Sequence, residues 1–215
     1  MLVHDYIPPL HPSDHPFLCL VLHGLGDSKE GWKPVATELG LDHLGFVCAQ
    51  APIPYYEGWS WFDLDGDMHA NSDQIRSSRA LLDELVDHLL TTRNLAPERL
   101  FVLGFSQGCL MTLDWGLRRR ERFAGLIGIS GFIALLNEYP KSFGTAAQQQ
   151  RILMTHGLYD PLIPIASTRR AKDALVNLGI PIDWREYAKA HTLDPEDELA
   201  DLHAWMAAAM DPTAS

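Results

Sequence analysis

Apolar positions along the chain fall into two kinds of pattern. Short runs at Phe17–Leu22, Leu44–Ala49, 99–105, 124–129, 151–155 and Ile182–Tyr187 are rich in Leu, Val, Ile and Phe, and most are continuous rather than alternating. Strands covered on both faces read this way, because each side of the pleat meets an apolar layer. Between these runs the spacing turns helical. Ile75, Leu82, Leu85, Val86, Leu89 and Leu90 share one face of a helix predicted near 72–93. Ala171, Ala174, Leu175 and Leu178 recur at i, i+3, i+4 and i+7, and Leu199, Leu202, Met206, Ala209 and Met210 mark a last helix. Strand and helix in alternation predict an α/β fold with a mostly parallel sheet.

Two stretches break the alternation. Residues 50–71 and 131–149 are expected to be long loops, and both carry aromatic residues. Long loops in a compact domain are often functional. The proline-bearing first 15 residues are expected to form an arm or an edge strand. No linker, repeat or charge run divides the 215 residues, so the expectation is a single domain over 1–215.

Composition narrows the function classes. The chain is 47% hydrophobic and 21% charged, ordinary for a globular protein. Lys plus Arg number 17 against 28 Asp plus Glu, a net charge of −11. A nucleic-acid partner needs a positive face to displace counterions, so none is expected. Cys19, Cys48 and Cys109 are odd in number, form no CxxC pair and lie in apolar stretches. They read as buried reduced thiols, which places the expectation in the cytoplasm. No secretory leader is evident, and no apolar run approaches the roughly 18 residues of a transmembrane segment. His11 and His15 have a ligand-like spacing, but flanking prolines forbid a helix there, so no metal is expected.

The strongest local signal is Gly104-Phe105-Ser106-Gln107-Gly108, which follows an apolar strand and opens a helical stretch from 107 to 119. This is G-x-S-x-G in a strand, sharp turn, helix context. A strained turn needs small neighbours so that strand and helix can approach, and the two glycines meet that need. The Ser106 hydroxyl then projects at the carboxyl edge of the sheet, beside the N–H groups of a helix N-terminus. A Ser106 that merely caps the helix is the plainer alternative.

A serine nucleophile needs a base, and the base an orienting acid, in the chain order Ser, Asp or Glu, His. After Ser106 only His156, His191 and His203 remain. His191 directly follows the strand Ile182–Tyr187, and Asp160 follows the strand ending near His156. Ser106, Asp160 and His191 therefore sit in strand-to-helix turns at one sheet edge, where open α/β sheets bind ligands. His156 reads as structural and His203 as a half-buried packing residue of the last helix. Asp173 lies on a helix and Asp183 begins a strand at the opposite edge. For a developing oxyanion, the backbone N–H groups of Gln107 and of Leu25 are the natural donors. Leu25 lies in His23-Gly24-Leu25-Gly26-Asp27, the Gly-rich turn after the first buried strand.

His23-Gly24-Leu25-Gly26-Asp27, Trp61-Phe62-Asp63, Gly104-Phe105-Ser106-Gln107-Gly108, Ser130-Gly131, His156-Gly157 with Asp160-Pro161, and the late His191 together resemble the acyl-protein thioesterase and small carboxylesterase/lysophospholipase family of α/β-hydrolases. The resemblance runs from about 16 to 210. It implies an α/β-hydrolase fold with no large cap domain, a Ser106–Asp160–His191 triad, oxyanion donors at Leu25 and Gln107, and no cofactor. Cys109 stands where the family often has glycine, and Phe132-Ile133-Ala134 departs from its usual run ending in Leu-Pro.

Trp59, Trp61 and Phe62, with Phe132 and Ile133, are expected to line an acyl pocket, core packing being the alternative. The reading is a serine esterase for small-molecule acyl esters of short to medium chain. A thioesterase or lysophospholipase is the alternative from the same site, and a non-catalytic ligand-binding homologue the remote one. A homodimer is left open by the sequence.

Overall fold

The computed structural model describes residues 1–14, 16–65 and 69–211. His15 of the His11–His15 spacing and residues 66–68 of the 50–71 stretch lie outside the described residues. Seven strands form the main sheet, in the order β1-β3-β2-β6-β7-β8-β9. They are β1 (His4–Ile7), β2 (Phe17–Leu22), β3 (Leu44–Ala49), β6 (Leu100–Phe105), β7 (Gly125–Ile129), β8 (Ile152–Gly157) and β9 (Ile182–Tyr187). All neighbours pair parallel except β1, which lies antiparallel on β3 at the sheet edge, the second of the two alternatives the first residues left open.

The pleat sorts side chains into two cores. Leu18, Leu20 and Leu22 of β2 and Val102 of β6 pack with α2 (Ser72–Thr92), α3 (Gln107–Gly116) and Leu175 of α5 (Ile165–Asn177). Cys19 and Val21, one residue out of phase, face α1 (Lys33–Glu38) and α6 (Asp197–Met210) with Phe101, Leu103 and Trp205. Continuous apolar strands are the sequence trace of this double covering. Helix α2 starts at Asn71, whose side chain accepts from the N–H groups of Asp73 and Gln74. All three cysteines are buried and unbridged.

Several expectations need correcting. The 50–71 stretch is not wholly irregular: β4 (Ile53–Tyr55) and β5 (Gly58–Ser60) form a hairpin with Tyr56 at φ 51° in its turn. The 131–149 stretch contains the single-turn helix α4 (Tyr139–Ser142). The short helix α1 has no apolar period of its own to betray it. Helix α3 ends at Gly116 rather than running to 119. His203 is exposed on α6, with Nδ1 2.7 Å from the Leu39 carbonyl oxygen. No helix among the described residues is long and apolar enough to cross a membrane.

Candidate active site

β2, β6, β8 and β9 run parallel in one sheet, so the turns that follow them gather at a single edge. Ser106 occupies the turn from β6 to α3 with φ 54° and ψ −113°, a strained conformation for a residue bearing a Cβ. Its backbone N–H donates to the Ile129 carbonyl at 2.9 Å. The flanking glycines are obligatory. A Cβ on Gly104 would lie 2.0 Å from the Gly108 carbonyl oxygen, and one on Gly108 would lie 2.0 Å from that of Leu22.

His191, in the turn after β9, bridges the other two residues. Its Nε2 is 3.0 Å from Ser106 Oγ and its Nδ1 2.7 Å from Asp160 Oδ2. The carboxylate accepts the Nδ1 proton, leaving Nε2 with a lone pair for the serine hydroxyl. The centroid of the Phe105 ring lies 4.9 Å from that of the imidazole, the two planes tilted by 51°. Asp160 is fixed by its other oxygen, which accepts from the N–H groups of Leu162 and Ile163 at 2.9 Å each. Burial alone raises the Asp160 carboxyl. The Ile163 N–H, the His191 ring and the Leu162 N–H outweigh burial and hold it below the ordinary carboxylate value.

His156 is buried beneath this turn with Nε2 2.9 Å from the Ile163 carbonyl oxygen and 3.6 Å from Asp160 Oδ2. Burial lowers its pKa, which favours a neutral ring donating from Nε2 to Ile163. It supports the turn that carries Asp160.

The loop after β2 is pinned by its own histidine. His23 is buried, Nδ1 lies 2.7 Å from the Gly24 carbonyl oxygen, and Nε2 accepts the Ala51 N–H at 3.1 Å. Since Nε2 accepts, Nδ1 carries the proton and donates to Gly24. In a trans peptide the C=O and N–H point in opposite directions, so holding the Gly24 carbonyl aims the Leu25 N–H the other way. Gly24 itself abuts the serine: a Cβ there would be 3.3 Å from Ser106 Cβ. Gln107 is the first residue of α3, so its N–H has no acceptor within the helix. Its side chain is also in use: Oε1 accepts the Trp61 N–H at 3.0 Å and Nε2 donates to the Phe62 carbonyl at 2.8 Å.

That clasp explains a correction to the expected pocket. Trp61 and Phe62 have no solvent-exposed area. Trp61 Nε1 donates to the His23 carbonyl at 2.9 Å, and both rings belong to the core beneath the site. A side chain that no water-sized sphere can touch lines no pocket. Trp59 and Phe132 remain half-buried, and Ile133 is nearly buried. A separate cleft of about 420 Å³ lies away from the triad, among Arg79, Asp83, Trp115, Arg118 and Arg119. Arg79, Arg118 and Arg119 are paired with carboxylates, an unsuitable lining for an acyl chain.

The sequence profile of the phospholipase/carboxylesterase family matches residues 12–209. The chain belongs to this family. Among phospholipase/carboxylesterase relatives, it is 32% identical over 204 residues to acyl-protein thioesterase 1 of Schizosaccharomyces pombe, covering 89% of this chain and 91% of the relative. It is 27% identical to acyl-protein thioesterase 1 of Yarrowia lipolytica, with 89% and 91% covered. In structure it is similar to esterase PE8, with a TM-score of 0.86 at 24% identity, covering 96% of this chain and 98% of that one. It is also similar to acyl-protein thioesterase 2 of Zea mays, with a TM-score of 0.78 at 22% identity, covering 98% of this chain and all of that one. The fold is that of an α/β-hydrolase without a large cap, as the family resemblance implied, and the family is one of ester hydrolases.

Sequence reasoning missed three supports of the candidate site: the His23 ring, the Gln107 side chain and the Phe105 ring. His23 and Gln107 stood inside motifs read only for backbone donors. A buried polar side chain announces its partner only once the distant segment is in place.

Proposed function

We propose that this chain is a serine hydrolase that cleaves carboxylic esters through an acyl-enzyme. The observation that carries the reading is the single imidazole within hydrogen-bond reach of both Ser106 Oγ and Asp160. Ser106 Oγ attacks the acyl carbonyl carbon while His191 Nε2 takes its proton. Asp160 keeps the Nδ1–H tautomer and stabilises the imidazolium. The negative oxygen of the tetrahedral intermediate accepts from the N–H groups of Leu25 and Gln107. Collapse expels the alcohol or thiol, which leaves with the proton from His191. Water, deprotonated by His191, then attacks the acyl-serine, and the acid departs as the proton returns to Ser106 Oγ.

The acyl chain runs along Trp59, Phe132 and Ile133 and is of short to medium length. Thioester cleavage is the second reading, favoured by the similarity to proteins named acyl-protein thioesterase. The deciding experiment measures kcat/KM for p-nitrophenyl esters of two to sixteen carbons, an S-acylated peptide and a lysophospholipid. Each added CH₂ buried contributes up to about 0.8 kcal/mol, about fourfold, until the surface is filled. An optimum at about six to ten carbons supports the esterase reading. A profile still rising at sixteen carbons, with efficient thioester cleavage, replaces it with the second.

A further inference from the structure

A buried ion pair brackets His191 in the chain. The side chains of Lys189 and Glu198 are 2% and 0% exposed. Lys189 Nζ donates to Glu198 Oε2, which also accepts the Asp194 N–H at 2.9 Å. Glu198 belongs to the first turn of α6, so the pair ties the two ends of the loop that carries the imidazole. Lys189 is held by its backbone too. Its carbonyl accepts the N–H of Tyr159, the residue before Asp160, at 3.1 Å. Gly157 has no room for a Cβ, because the carbonyl oxygens of Lys189 and Ala190 would lie 2.4 and 2.6 Å away. One residue therefore joins the base's loop, the acid's loop and α6.

An ion pair is a costly way to fill this space. Removing two charges from water loses hydration that their attraction scarcely repays, and apolar residues of similar volume pack as well. What the pair supplies is direction: an ammonium against a carboxylate has a defined place, whereas two methylenes slide. The imidazole needs such a place. Its ring is held by the hydrogen bonds to Ser106 and Asp160 and by the side of Phe105, and all three depend on where the loop sets its Cα.

We propose that the Lys189–Glu198 pair is a positioning device for His191, fixing the 188–194 loop so that the imidazole meets Ser106 and Asp160 together. The proposal rests on the triad reading above. The pair touches no reacting atom; it acts through the loop.

The test uses Lys189→Met, Glu198→Gln and the double variant Lys189→Met/Glu198→Leu, with Ser106→Ala and His191→Ala as controls. Tm, kcat, KM and the rate of fluorophosphonate labelling are measured, and endpoint labelling counts the active sites. Lys189→Met alone strands a buried carboxylate and lowers Tm. The double variant leaves no stranded charge and recovers Tm. Its kcat per labelled site nonetheless stays about 10- to 100-fold low, with KM within about twofold and labelling slowed in proportion, as expected for a catalytic group displaced by about 1 Å. A folded double variant with wild-type kcat, beside inactive Ser106→Ala and His191→Ala, overturns this proposal alone. Activity surviving in either control overturns the triad reading and this proposal with it. If the double variant does not fold, Glu198→Gln keeps the shape without the charge. A lowered kcat per labelled site in that protein supports the proposal, and an unchanged one overturns it.

Discussion

His23 Nδ1 lies 2.7 Å from the Gly24 carbonyl oxygen, while Nε2 of the same ring accepts the Ala51 N–H. One imidazole thus fixes both the direction of the Gly24–Leu25 peptide and the strand end behind it. The two contacts can be separated. His23→Asn places an N–H near the Nδ1 position and is expected to keep the Gly24 contact. His23→Gln reaches the Nε2 position and keeps the Ala51 contact instead. If the Gly24 contact aims the Leu25 N–H at the oxyanion, the glutamine variant loses more kcat than the asparagine variant, by about 10- to 100-fold, at similar Tm. Equal kcat in the two would remove Leu25 from the oxyanion site.

Ser106→Ala is expected to lower kcat about 10⁴-fold or more and to abolish fluorophosphonate labelling, with little change in KM. Cys109, three residues on, should not substitute. It is fully buried and burial pushes its thiol up to about 12, so iodoacetamide near neutral pH should leave activity intact. Labelling that persists in the alanine variant would move the nucleophile elsewhere.

Asp160→Asn is expected to cost about 10⁴-fold in kcat, because an amide no longer selects the Nδ1–H tautomer of His191. The variant has a second signature, in acid stability. The folded carboxyl titrates below its ordinary value, so its contribution to stability is present above the unfolded carboxylate pKa. That contribution is lost as pH falls through the folded value. Unfolding free energy measured from pH 6 to 3 should therefore fall less steeply in Asp160→Asn than in the parent. An identical slope would show that the carboxylate gains nothing from its N–H donors.

The aromatic residues near the site should separate into two groups. Phe62→Ala removes a fully buried ring and is expected to cost about 3–5 kcal/mol of stability, leaving the acyl-length profile of the folded protein unchanged. Trp59→Ala and Phe132→Ala touch half-buried rings and are expected to shift that profile with a smaller loss of Tm. The measurement pairs thermal unfolding with kcat/KM across the ester series. A profile indifferent to Trp59 and Phe132 would mean that the acyl chain lies elsewhere.

What the chain determined by itself is the part that depends on neighbours in sequence. Buried strands must be apolar on both faces, so β2, β3, β6, β7 and β8 are visible as continuous runs, and parallel order follows from the helices between them. A serine with positive φ between two helix–strand contacts demands glycine on either side, so Gly104 and Gly108 marked Ser106. Asp160 and His191 each stand a few residues past a strand end, and parallel strands carry such turns to one edge. Tertiary structure decided everything set by contacts across long stretches of chain. Trp61 and Phe62 read as pocket residues in the sequence, and their place in the core is set only when Gln107, some 45 residues on, clasps their backbone and the His23 carbonyl takes the indole N–H. Nothing near Lys189 or Glu198 in the sequence marks them as a pair; α6, packed against the His191 loop, brings them together and leaves their side chains 2% and 0% exposed. Burial belongs to the packed assembly, and a residue's neighbours in sequence do not reveal which distant segment will cover it.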